Sequence, residues 1–157
     1  MLLTQFLYWI HIIGATVLLG TGAGIAFFML MAHRTGRAEI IAHTAKTVVL
    51  ADWIFTASAA IVQPVSGSLL AMQVGWRLTE PWLLMSIGLY VFTGAFWLPV
   101  VWIQKQIQKI AEDSLQAGRE LPPRYYRLFN IWFACGFPAF FAVLGIVWLM
   151  EARPMFG

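Results

Sequence analysis

The chain has 157 residues, 61% of them hydrophobic and only 11% charged, with a formal net charge of +3. A soluble domain carries roughly 25% charged residues, so a water-soluble globule is excluded. The basic residues sit in short connections and make no nucleic-acid surface, and the single cysteine, Cys135, supports no disulfide framework.

The apolar residues fall in four runs, predicted as helices over 6–32, 44–72, 82–104 and 128–150. Each approaches or exceeds the ~20 residues that cross ~30 Å of hydrocarbon. The runs are continuous rather than alternating, which reads as helix and not barrel strand. The expectation is all-α: an integral membrane four-helix bundle, one transmembrane domain over 1–157. The first run has no basic residue before it and outlasts the apolar core of a signal peptide, so it reads as a span.

The first span, YWIHIIGATVLLGTGAG, carries His11 about two turns in. At 100° per residue, Gly14, Ala15, Leu18, Gly22 and Met29 share its face, and His33 lies about 40° off. Small residues beside a histidine leave a slot for a flat porphyrin, and imidazole is the usual axial ligand of b-type haem. His11, Gly14 and Gly22 are therefore candidate cofactor-binding residues, with His11 as the ligand of haem iron. The alternative is that these glycines, with Gly20-x-x-x-Gly24 among them, permit close helix packing while His11 bonds a neighbouring helix. His33 and His43 flank the first connection. They form a weaker bis-histidine metal candidate, set against two solvated histidines beside Arg34 and Arg37.

The second span, TVVLADWIFTASAAIVQPVSGSLL, contains Asp52. Thr56, Ala59, Gln63 and Ser66 follow at helical spacing, a polar stripe about 21 Å long at 1.5 Å per residue. A carboxyl inside the bilayer must be neutral, paired or wet. Two readings stay open for Asp52, Thr56, Gln63 and Ser66. One is a proton relay, or contact to a quinone or other cofactor. The other is a polar network clipping helices together, with Arg34, Lys46 or Arg127 as the partner of Asp52. Pro64 predicts a kink, as do Pro99 and Pro138 in the later spans.

The loop 105–127 begins with QKQIQKIAEDSLQAG, which continues the third helix until Gly118, and Pro122-Pro123 opens the fourth. Most of Tyr8, Trp9, Trp76, Trp82, Trp97, Trp102, Tyr125, Tyr126 and Trp148 fall near span ends, as an aromatic belt would. Arg34, Arg37, Lys46, Lys105, Lys109, Arg119, Arg124 and Arg127 lie on one side, leaving Arg77 and Arg153 on the other. The positive-inside rule then places both basic loops in the cytoplasm and both termini outside. No motif of soluble-enzyme chemistry is present: no Cys-x-x-Cys, no His-Glu-x-x-His, no phosphate loop.

The segments LYWIHIIGATVLLGTGAGIAFFMLMAHRTG, ADWIFTASAAIVQPVSG, LPVVWIQ and LPPRYYRLFNIWFACGFPAF together resemble a family of small bacterial predicted integral membrane proteins known only as a domain of unknown function. The resemblance covers nearly the whole chain and implies a four-helix, multi-pass protein of the bacterial inner membrane. The opening also resembles the first helix of HemJ-type protoporphyrinogen oxidases and CopD-like membrane proteins, which implies haem b on His11.

Two function classes follow. One is a redox protein, an oxidoreductase component holding haem b or a quinone in the bundle. The other is an accessory subunit or small transporter whose polar groups are structural. The expected partners are the lipid bilayer and other membrane subunits or a second copy, with no nucleic acid.

Overall fold

The computed structural model describes residues 1–154. It is all-helical among those residues: α1 (Leu2–Arg34), α2 (Ala38–Ala51), a π-turn over Asp52–Thr56, α3 (Ala57–Val74), α4 (Pro81–Gln116) and α5 (Pro123–Ala152). The π-turn joins α2 and α3 into one rod, so the described residues make four helices long and apolar enough to cross a membrane. Every helix outruns its predicted span. Hydropathy marks what lipid accepts, whereas helix ends are set by caps. Gly75, at φ +83°, closes α3 with the Trp76 amide bonded to the Ala71 carbonyl at 2.9 Å, a left-handed cap. Pro81 opens α4 at its first turn, and α4 runs on to Gln116 before Gly118 at φ +59° ends the segment. The helical continuation beyond 104 is as expected.

The bundle is closed most firmly at the end that carries both basic loops. There Met29, Ile41, Ala45, Ile107, Ala111, Tyr125, Phe129 and Trp132 form the main core. A smaller cluster of Ala71, Trp82, Leu83 and Leu149 closes the opposite end. The outer surface is the reverse of a soluble protein's: Phe6, Trp9, Phe28, Trp53, Leu98 and Trp148 all face outward. Such a surface suits acyl chains. Because lipid is as apolar as leucine, burial supplies little drive for helix association, and packing and interhelical hydrogen bonds must hold the helices together.

The aromatic residues divide accordingly. Tyr8, Trp9, Trp102 and Trp148 are exposed as a belt would require. Tyr125 and Trp82 are buried core residues instead. His33 also turns inward. Its ring stacks on Phe129 with centroids 3.7 Å apart, and its Nδ1 lies 3.1 Å from the Tyr125 hydroxyl.

Candidate intramembrane polar site

The polar stripe of the second span is buried as a unit: Asp52, Thr56, Gln63 and Ser66 all face the interior. The structure splits it into two places with different chemistry.

The first place joins α1 to α3 around His11. Gln63 donates its amide to the His11 carbonyl at 2.9 Å. The His11 Nδ1 lies 3.0 Å from Ser66 Oγ, and that hydroxyl donates to the Val62 carbonyl at 2.7 Å. A serine hydroxyl can donate or accept. The His11–Ser66 contact therefore ties α1 to α3 whichever ring nitrogen carries the proton. Two glycines make the fit. A methyl group at Gly67 would stand 2.9 Å from His11 Cε1, and one at Gly14 would stand 2.9 Å from Gln63 Nε2. Gly67 was missed by the sequence reading, and nothing in the sequence marks which glycine faces the histidine.

This packing bears on the haem expectation. The slot predicted at Gly14 is filled by the Gln63 amide, and Gly22 meets open space rather than His11's neighbours. The imidazole edge lies against Gly67. These residues do not frame a porphyrin. A methyl group at Gly20 would meet nothing within 4 Å and one at Gly24 only the ring of Phe28, so among the described residues the Gly20-x-x-x-Gly24 pair seats no neighbouring helix. His33 is committed to Tyr125 and Phe129, while His43 lines a surface groove of about 530 Å³ with Arg37, Glu39, Lys46 and Glu112. The two histidines thus serve separate places. Among the described residues no three His, Cys, Asp or Glu side chains gather as a metal site.

The second place is Asp52. It is 6% exposed and begins the π-turn, in which the Ala57 amide reaches back to the Asp52 carbonyl. Such single turns recur at functional sites because they interrupt the regular ladder and re-aim side chains. The partner of Asp52 is not Arg34, Lys46 or Arg127. It is the indole of Trp97 on α4, whose Nε1 donates to Oδ1 at 3.3 Å. The one ion pair among the described residues is Arg37–Glu39 in the first connection. Arg34 ends α1 and Arg127 lies in the first turns of α5, while Lys46, about 9 Å before Asp52 along the rod, is exposed and lines the outer groove with His43 and Glu112. Thr56 lies beside the carboxyl, yet its Oγ1 is the one fully buried side-chain polar atom among the described residues with no partner.

Two further clips cross the bundle. Tyr90 on α4 donates to the carbonyl of Ala60 on α3. Trp132 Nε1 on α5 donates to Gln104 Oε1 on α4 at 3.1 Å, and both residues are buried. The sequence reading missed both. A glutamine at the end of an apolar run and a tryptophan inside another are the signals that could have paired them.

With four apolar helices and an inward polar seam in view, the comparison with protein families decides the kinship. Residues 5–154 match the family model described as predicted integral membrane protein (DUF2269). The chain belongs to that family. It is a multi-pass membrane protein with four spans, whose lipid-facing surface contacts the bilayer. Comparison with curated proteins and with solved structures gave no match.

Proposed function

We propose that this DUF2269 protein is a proton-handling component of the bacterial cytoplasmic membrane, with Asp52 as the group that takes up and releases the proton. One observation carries the reading. His11, Gln63, Ser66, Tyr90 and Gln104 each have a protein partner, whereas the Asp52–Thr56 pair retains unused hydrogen-bonding capacity inside the bundle. A carboxylate can accept several hydrogen bonds, and Asp52 receives one from Trp97 at 3.3 Å. Thr56 suits both protonation states of its neighbour. A hydroxyl in that position can donate to a carboxylate or accept from a carboxylic acid. Buried intramembrane carboxyls are costly, which is why they mark proton and ion pathways. Gln63, Ser66 and His11 continue the seam toward the end opposite the basic loops. The eight-to-two distribution of basic residues supports an orientation with the loops in the cytoplasm and both termini outside.

The test is proton uptake by proteoliposomes holding an entrapped pH dye, driven by a potassium diffusion potential. Wild type should acidify the lumen, Asp52→Asn should not, and Glu80→Gln, at the end opposite the basic loops, should match wild type. Equal flux in wild type and Asp52→Asn overturns the reading. A second reading, an accessory subunit with a purely structural seam, is favoured by the interhelical clips at Gln63, Tyr90 and Gln104. It predicts no flux in any variant and loss of folded protein in Asp52→Asn.

A further inference from the structure

We infer that the groove between α3 and α4 on the lipid-facing surface is a binding site for one anionic phospholipid, with its phosphate on Lys105. The groove has a volume of about 420 Å³, within the range of small-ligand sites. Trp53, Trp97 and Trp102 wall it, and Ala57, Ala60 and Val101 are among its floor. It exists because aromatic side chains, not close backbone packing, span α3 and α4 here. Trp97 reaches Asp52 and Tyr90 reaches Ala60. The alanines keep the trough between those struts open. Acyl chains are the solvent on this face, so an apolar trough here receives one without a special partner.

Lys105 supplies the selectivity. It follows Trp102 on α4 and lines the groove, with Nζ 5.1 Å from the centre of the Trp53 ring. A helical side chain leans toward its own N-terminus. On α4 that direction is into the membrane and over the groove, so the ammonium lies across Trp53 at the groove's mouth. No carboxylate among the described residues lies within ion-pair distance of it. Cation–π contact offsets only part of the cost of holding an ammonium there. A phosphate diester with its chain in the groove supplies the missing anion, as basic pockets between membrane helices do for anionic head groups. A zwitterionic lipid brings its own cation and competes with Lys105 for the phosphate. The site stands apart from the proton reading, although Trp97 both walls the groove and bonds Asp52.

The test is tryptophan quenching in phosphatidylcholine vesicles containing either dibrominated phosphatidylglycerol or dibrominated phosphatidylcholine at equal fraction. Wild type should show a saturable component favouring the phosphatidylglycerol by roughly fivefold, the effect of one basic residue near a membrane surface. Lys105→Gln should lose that preference, and Lys109→Gln, one turn on and exposed, should keep it. Ala57→Leu, which fills the trough and leaves the cation, should lose the saturable component while folding normally by circular dichroism. No preference in wild type, or equal losses in Lys105→Gln and Lys109→Gln, overturns the site.

Discussion

Tyr90 on α4 donates its hydroxyl to the carbonyl of Ala60, four residues before Pro64 on α3. Pro64 has no amide proton, so it cannot make the helical bond that this carbonyl would otherwise accept. The proline thus creates an orphan acceptor in the membrane, and a neighbouring helix fills it. The same device clips α3 to α4 where their backbones stand apart.

The pair yields a double-mutant test. Tyr90→Phe should destabilise the folded protein by about 1–3 kcal/mol, because it leaves a desolvated carbonyl unpaired. In a Pro64→Ala background the helical amide returns, and the same Tyr90→Phe change should cost about half as much or less. Denaturation in mixed micelles, followed by tryptophan fluorescence, measures both. Equal costs in the two backgrounds would mean that Tyr90 does not serve the carbonyl freed by the proline.

The glycines separate by what they face. Gly67→Ala should destabilise by about 1–3 kcal/mol, since its methyl group would meet the His11 ring at 2.9 Å. Gly20→Ala and Gly22→Ala, which meet nothing within 4 Å, should be neutral or gain up to about 1 kcal/mol from helix propensity. Thermal aggregation curves of the three variants decide it. A destabilised Gly22→Ala would restore a packing or cofactor role to that face.

Gln104→Leu should cost about 1–3 kcal/mol by orphaning the buried indole of Trp132. Pairing it with Trp132→Phe should recover part of that loss, because both polar groups are then gone. Failure of the second change to rescue the first would argue that Gln104 acts by packing alone.

Topology follows from charge. Reporter fusions in the connections near Gly36 and Gly118 should read cytoplasmic, and fusions at either terminus should read external. A periplasmic signal from either loop would reverse the assignment.

Much of this architecture was legible in the sequence because lipid imposes one pattern on every span. The four helices, the helical extension past 104 and the inward stripe from Asp52 to Ser66 follow from hydropathy and spacing alone. What spacing does not carry is the register between helices. Trp97 rather than an arginine meets Asp52, and Tyr90 meets Ala60, because the antiparallel offset of α3 and α4 brings those levels together. Gly67, not Gly22, receives His11 for the same reason. The π-turn over Asp52–Thr56 also has no sequence mark. It shows only in the backbone, where the Ala57 amide bonds the Asp52 carbonyl.

The central claim is that Asp52 exchanges a proton inside the bundle. Infrared difference spectroscopy of the reconstituted protein across a pH titration tests it directly. The account predicts a carboxylic-acid carbonyl band that disappears as pH rises, shifts when aspartate is isotopically labelled, is absent in Asp52→Asn, and moves in frequency in Thr56→Val. A band that persists unchanged in Asp52→Asn, or an Asp52 carboxyl that never changes state over the range where the protein stays folded, would contradict it.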